Sequence, residues 1–182
     1  MLKLPTLILL LLLSLTGTAQ NFKPVDEGSK VHFVIKNFGI STGGDLHGVK
    51  GTINFSPQNI KAAVFNVSVA VKTIDTDNNS RDDDLRSGKY FDAEKYPEIT
   101  IKSTKIDKTN RSATGWFYFT GTLNMHGVTK IITFPFSAVL HGNDYLFSGQ
   151  FELNRLDYGV GESSSVMSKT VKVSISVLAK KI

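Results

Sequence analysis

The sequence predicts an all-β protein, an eight-stranded antiparallel barrel with a short helical segment near one mouth. Three observations support this fold class. Apolar residues alternate with polar ones through most of the chain, which is typical of a sheet with one dry and one solvated face. Several alternating segments reach 10 residues or more, which suits a barrel better than a short-stranded sandwich. Short turn-forming sequences separate the segments, as expected between neighbouring antiparallel strands.

The alternation divides the chain into eight predicted strands. It is clearest near the C-terminus, where Val171, Val173 and Ile175 oppose Lys172 and Ser174. The predicted strands are 30–38, 46–56, 62–73, 98–107, 113–124, 129–141, 144–154 and 170–180. Their connections include Ser-Pro at 56–57, Lys-Thr-Asn at 108–110, His-Gly at 126–127 and Gly-Asn at 142–143. No internal repeat or low-complexity linker divides them, so residues 20–182 form one predicted domain.

Residues 79–97 break this pattern, and the stretch 79–92 within them shows no period of two. Ser80 is a suitable N-cap, and Asp82 to Asp84 would then lie on the first helical turn, where the helix dipole favours negative charge. Gly88 would end that turn. We therefore predict a short helix followed by a loop, placed across one mouth of the barrel.

The first 19 residues are predicted to be a cleaved export signal. Lys3 provides a basic start, Leu7–Leu15 is an apolar run, and Gly17 and Ala19 occupy the small-residue positions that a signal peptidase recognises. A membrane-spanning helix needs about 20 apolar residues, roughly twice this run. We therefore expect a periplasmic or secreted domain with no integral membrane span.

Composition excludes several classes of function. The chain has no cysteine, which rules out disulfides, zinc–thiolate sites and cysteine nucleophiles. Its formal net charge is +5, but no run of basic residues reaches three, and most of the lysines lie singly at strand positions expected to face solvent. Nucleic-acid binding needs a clustered basic stripe, so we expect no nucleic-acid partner.

No motif for catalysis or metal binding is evident. The four histidines, His32, His47, His126 and His141, do not have metal-ligand spacing. His126 precedes Gly127 in an expected tight turn, where its ring would cap a backbone group. No nucleophile motif surrounds the serines at 163–165. We expect no metal site, no cofactor and no enzymatic activity.

A set of short motifs spans about residues 29–177 and carries a family resemblance. These motifs are Ser29-x-Val31-x-Phe33-x-Ile35, Gly44-x-Leu46-x-Gly48-Val49-x-Gly51-x-Ile53-x-Phe55, Ile74-Asp75-Thr76, Arg81-Asp82-x-x-Leu85-Arg86-Ser87, Phe91-Asp92-x-x-x-Tyr96-Pro97, Thr100-Ile101-Lys102-Ser103-Thr104, Gly121-x-Leu123-x-Met125-His126-Gly127-Val128-Thr129-Lys130 and Arg155-x-Asp157-Tyr158-Gly159-Val160-Gly161. In this order they resemble the YceI family of exported proteins with a lipocalin-like barrel that bind lipids or polyisoprenoids. The chain departs from the family at two positions, where Asn37 and Asp84 stand in place of frequent histidines.

The resemblance implies a non-enzymatic carrier that encloses a polyisoprenoid or other long-chain lipid. Its ligand-binding residues would be the apolar side chains that alternation turns inward, and Arg81 and Arg86 would contact a polar head group through their guanidinium groups. The predicted ligand-binding residues are Phe33, Ile35, Phe38, Leu46, Val49, Phe65, Val67, Val69, Ile99, Ile101, Phe119, Leu123, Phe147, Phe151, Val173 and Ile175.

Several alternatives stay open at this stage. A filled core and a lined pocket use the same residue types, so the barrel interior could be solid and the protein could act through its surface. The charged cluster at 81–86 could serve only to pin the helical segment. A lipid-modifying enzyme and an outer-membrane barrel are rival classes, and no sequence feature decides for or against a homodimer.

Overall fold

A computed structural model describes residues 20–109 and 114–182, which contain ten strands and one α-helix. The helix α1 spans Asn79–Arg86. Single 3-10 turns lie at Ile60–Ala62, Val71–Thr73 and Arg155–Tyr158. The strands are β1 (Gln20–Pro24), β2 (Lys30–Asn37), β3 (Ile40–Leu46), β4 (Lys50–Phe55), β5 (Val64–Ala70), β6 (Glu98–Lys108), β7 (Trp116–Met125), β8 (Val128–His141), β9 (Asp144–Asn154) and β10 (Met167–Lys181).

The strands close into an eight-stranded antiparallel barrel, as the sequence predicts. The order around the barrel is β1-β4-β5-β6-β7-β8-β9-β10, and β10 pairs with β1 to complete the ring. The end of β10, from Ala179 to Lys181, makes this closing pair. The earlier part of β10 pairs with β2, so the β2–β3 hairpin widens the wall at the other end of the barrel.

The structure corrects the number and limits of the predicted strands. The predicted strand 46–56 is interrupted, because β3 ends at Leu46 and β4 begins at Lys50. Gly48 lies between them with φ of +73°, a left-handed conformation that ends the extended chain. The sequence prediction missed β1 and most of β3. The predicted leader 1–19, the end of the turn 108–110 and the start of strand 113–124 lie outside the described residues.

One end of the barrel is filled by aromatic rings. Phe55 has its ring centroid 5.2–6.1 Å from those of four other rings, all in edge-to-face geometry. Edge-to-face pairs of this kind stabilise a core beyond their buried area alone. The cluster consists of Phe22, Phe55, Phe65, Phe117, Phe119, Phe134, Phe136, Tyr145 and Phe147. This end of the barrel is therefore a packed core.

Helix α1 is fastened at its N-terminus to the segment that precedes it. Asn78, rather than the predicted Ser80, is the N-cap, and its side chain accepts a hydrogen bond from the backbone N–H of Arg81. Ser80 lies one residue inside the helix, so only Asp82 of the three acids reaches the first turn. The helix ends at Arg86 with Ser87 as its C-cap, one residue before the predicted stop at Gly88.

Candidate ligand cavity

A cavity of about 360 Å³ occupies the barrel end opposite the aromatic cluster. Its walls come from β2, β3, β5, β6, β7, β9 and β10, and α1 and the segments around Tyr90 and Val160 partly cover it. Cavities of about 300–1,000 Å³ are typical of small-molecule sites. The barrel is therefore solid at one end and hollow at the other, because the aromatic rings of the core stop short of α1.

Eleven of the sixteen predicted ligand-binding residues line this cavity. They come from strands that are distant in sequence, and period-two alternation turns all of them inward. They are Phe33, Ile35, Leu46, Val67, Val69, Ile99, Ile101, Leu123, Phe151, Val173 and Ile175. Other apolar residues join them, including Leu85 and Phe91 from the covering segment and Met125 from the end of β7.

The other five predicted residues lie elsewhere. Phe65, Phe119 and Phe147 point inward but belong to the aromatic cluster at the filled end, and Val49 is buried in the same core. Alternation identifies the inner face of a strand but not the level along the barrel axis. Phe38 does not face the interior at all, because it is 73% exposed in the turn between β2 and β3.

The two predicted head-group arginines have different surroundings. Arg81 lines the cavity, and its Nε and Nη2 atoms donate to Thr76 Oγ1 and the Thr76 carbonyl at 2.8 and 2.5 Å. Arg86 is not part of the lining. Its guanidinium donates to the carbonyls of Lys72 and Ile74 and to Asp83, so it fastens α1 to the preceding chain.

Arg155 is a cavity residue that sequence reasoning missed. It is only 4% exposed, and its guanidinium donates to the carbonyls of Ser168, Val160 and Glu162 at 2.8–3.0 Å. Within the described residues it has no carboxylate partner within 4 Å. Arginine has five N–H donors, so two remain beyond these three bonds. The only sequence signal was its place at the head of the motif that ends in Gly161.

Asn37 contributes a second polar group to the cavity. Its backbone pairs with Met167, which brings it beside the start of β10 and therefore beside Ser168, a partner of Arg155. The Oδ1 atom of Asn37 is buried and has no hydrogen-bond partner. An unpaired buried polar atom is costly, and a polar ligand group would relieve that cost.

The charged groups of the lining are few. Arg81, Arg155 and Asp84 are its charged residues, so the lining itself carries two positive groups and one negative group. Nearby, burial raises the pKa of Tyr158, and the carboxylate of Asp157 raises it further. On the outer wall, the hydrogen bond from Lys50 lowers the pKa of Glu98 despite partial burial.

His126 stabilises the loop over the end of the cavity, as its position in a tight turn suggested. Its Nδ1–H donates to the carbonyl of Tyr158 at 3.1 Å, and its ring packs edge-on against Tyr96 at 4.9 Å. His126 itself has φ of +51°, which histidine tolerates better than most residues.

In residues 20–109 and 114–182, no helix is long and apolar enough to cross a membrane.

Known protein families include one that matches nearly the whole of the described chain. The model of the YceI-like domain matches residues 22–179. The chain belongs to the YceI family. Among curated relatives, a UPF0312 protein of Vibrio parahaemolyticus is 34% identical over 155 residues, covering 80% of each chain. The protein YceI of Salmonella arizonae is 28% identical over 181 residues, covering 94% of this chain and 93% of the relative.

Solved structures share the YceI barrel. BcnA of Burkholderia cenocepacia superimposes with a TM-score of 0.80 at 22% identity, covering 86% of this chain and 99% of BcnA. A polyisoprenoid-binding domain from Saccharophagus degradans gives 0.71 at 15% identity, covering 88% and 98%. At these identities the likeness supports the fold alone.

Proposed function

We propose that this YceI-family protein is a carrier that binds a polyisoprenoid or another long-chain lipid in the hollow end of its barrel. The observation that carries the proposal is the cavity itself, whose walls are mainly aliphatic and aromatic. Each CH₂ group that leaves water for such walls contributes about 0.8 kcal/mol. A prenyl chain of several units therefore has enough binding energy to offset its loss of freedom.

The polar groups at one end of the cavity support an amphiphilic ligand. The unpaired Oδ1 of Asn37 and the remaining N–H groups of Arg155 lie beside the start of β10, and Arg81 lies at α1. The apolar tail would lie among the strand residues, with its oxygen-bearing head near these groups. Arg155 replaces Arg86 as the second head-group contact, because the guanidinium of Arg86 already donates to the carbonyls of Lys72 and Ile74.

The direct test is native mass spectrometry of the purified protein with geranylgeraniol, followed by extraction and identification of the lipid. We expect a one-to-one adduct and recovery of unaltered alcohol after long incubation. The double substitution Val67→Phe, Val69→Phe fills the cavity and should abolish the adduct. Val64 lies on the same strand but its side chain is exposed. The control variant Val64→Phe should therefore bind geranylgeraniol like the wild type.

Failure of the wild-type protein to take up any prenyl lipid would contradict the carrier function. A chemically changed lipid would favour the enzymatic alternative instead. N-terminal sequencing tests the proposed periplasmic or secreted location. Protein that is recovered outside the cytoplasm should begin near Gln20. An intact N-terminus at Met1 would contradict cleavage.

A further inference from the structure

The turn between β2 and β3 holds an aromatic residue in an unfavourable backbone conformation. Asn37 and Ile40 form the last pair of the hairpin, so Phe38 and Gly39 are its two turn residues. Both have positive φ, at +52° and +77°, as in the mirror-image turns that suit twisted hairpins. Asparagine or glycine is normally preferred at the first of these positions.

Phe38 stands apart from comparable residues in the described ranges. The other non-glycine residues with positive φ there are Asp77, Asp92 and His126, and aspartate and histidine are enriched in this conformation. A bulky aromatic residue in this conformation is an outlier that points to a function. Packing does not explain it, because the side chain of Phe38 is largely in solvent.

The tip of the hairpin forms an exposed apolar patch. Phe38 is 73% exposed and Ile40 is 70% exposed. Val166 extends the patch, because the backbone N–H of Phe38 donates to its carbonyl at 2.9 Å and its own side chain is exposed. We call Phe38, Ile40 and Val166 the apolar tip.

The apolar tip lies beside the cavity mouth. Asn37 and Thr42 flank it along the hairpin, Met167 follows Val166, and all three of these residues line the cavity. A group that docks on the apolar tip would therefore face the opening through which a ligand enters.

Positive charge accompanies the apolar tip. Lys36 precedes it on β2, and Lys169 lies in the irregular stretch of β10 between Met167 and Val171, which faces that part of β2. Both lysines are exposed, and neither forms an ion pair with another described residue. The exposed acids Asp83 and Asp84 lie on α1, outside the hairpin and β10.

We propose that the apolar tip docks on the surface of an anionic phospholipid bilayer, with Lys36 and Lys169 contacting the lipid head groups. Aromatic and aliphatic side chains that enter the head-group region bind weakly and reversibly, and each nearby lysine strengthens the attraction. The docked mouth would open directly onto the membrane from which a nearly insoluble ligand is taken. This role for the mouth rests on the proposed carrier function, whereas the docking itself can be measured without any ligand.

The test is flotation of the purified protein with vesicles of phosphatidylethanolamine and phosphatidylglycerol, compared with vesicles of phosphatidylcholine alone. We expect wild-type protein to float with the anionic vesicles. The double variant Phe38→Asn, Ile40→Thr should bind at least about tenfold more weakly, because two apolar side chains no longer leave water. Each of Lys36→Gln and Lys169→Gln should weaken binding roughly fivefold on anionic vesicles and not on phosphatidylcholine.

The single variant Phe38→Asn separates docking from folding. Asparagine suits the left-handed turn, so this variant should melt at a higher temperature than the wild type while it floats less well. The matched control is Val139→Thr, Leu140→Thr, which removes two exposed apolar residues near the opposite end of the barrel and should float normally.

Equal flotation of the wild type and the apolar-tip variant would overturn the docking proposal. So would an equal loss in the Val139, Leu140 control, because the effect would then be one of general surface hydrophobicity. Uptake of geranylgeraniol delivered in detergent should be the same in the apolar-tip variant and the wild type. If both proteins float as expected but neither takes up lipid, the carrier function fails and the docking stands.

Discussion

The hydroxyl of Thr76 and the carboxylate of Asp82 are joined by a hydrogen bond of 2.5 Å that is buried beneath the start of α1. The same carboxylate oxygen accepts the backbone N–H of Thr76 at 3.0 Å, and Arg81 donates to the Thr76 hydroxyl from the other side. This chain of three residues holds α1 across the cavity.

Removal of the Asp82 carboxylate should loosen α1. Asp82→Ala leaves the N–H and the hydroxyl of Thr76 without an acceptor, which costs about 1–3 kcal/mol per buried group. We expect a lower free energy of unfolding in urea and faster proteolysis between residues 77 and 90. Asp83→Ala is the matched control, because the exposed carboxylate of Asp83 pairs with Arg86 on the helix surface, and it should change stability by less than about 0.5 kcal/mol. Equal effects of the two variants would contradict this account.

The filled and hollow ends of the barrel should respond differently to truncation of phenylalanine. Phe55→Ala removes the ring at the centre of the aromatic cluster and should cost about 3–5 kcal/mol. Phe33→Ala removes a ring that already borders the cavity, so fewer contacts are lost and the cost should be well below that range. Urea unfolding of both variants measures the difference. Similar losses would mean that the two ends are equally packed.

Tyr158 should make stability fall in alkaline solution. Burial raises its pKa in the folded protein, whereas the unfolded chain ionises near pH 10. The neutral phenol therefore contributes its full stabilisation below about pH 10, and this is lost as the pH rises from there towards the folded-state pKa. Tyr158→Phe cannot ionise, so its urea midpoint should fall less than that of the wild type between neutral pH and about pH 11. If the urea midpoints of Tyr158→Phe and the wild type fell equally with pH, Tyr158 would not be the source of the alkaline loss of stability.

Arg155 should hold the segment from Val160 to Ser168 against the barrel. Arg155→Lys keeps the charge but cannot donate to the carbonyls of Val160, Glu162 and Ser168 at once, because the ammonium group lacks the planar fork. We expect faster amide hydrogen exchange throughout this segment, together with faster release of bound prenyl alcohol. Lys172→Gln, which changes an exposed cation on β10, serves as the control and should leave both rates unchanged.

The sequence predicted the barrel because alternation is strong in its long strands, as in β9, whose limits match the prediction at both ends. It failed where single residues control the backbone. Gly48 divides a run that looks continuous, and Asn78 caps α1 two residues before the predicted Ser80. Five residues of β1 are too few to show a period, although Phe22 is fully buried there.

The cavity was only partly predictable. Alternation gave the inner face, but Phe65 and Val67 both face inward on β5, and only Val67 borders the hollow end. The position along the barrel axis at which the interior is filled depends on aromatic rings from β1, β4, β7 and β8. These rings are far apart in the sequence and meet only in the folded protein. Arg155 could not be distinguished from a surface arginine, because its partners are backbone carbonyls that leave no trace in the sequence.

Closure of the barrel joins residues near the two ends of the sequence, with Phe22 opposite Lys181 and the N–H of Ile182 donating to the carbonyl of Asn21. During synthesis the wall therefore stays open, with its apolar lining in contact with water, until β10 has emerged. Pairings of such large sequence separation form slowly. The nascent chain should consequently depend on a holding chaperone, and a permuted chain that links β10 directly to β1 should refold faster than the natural order.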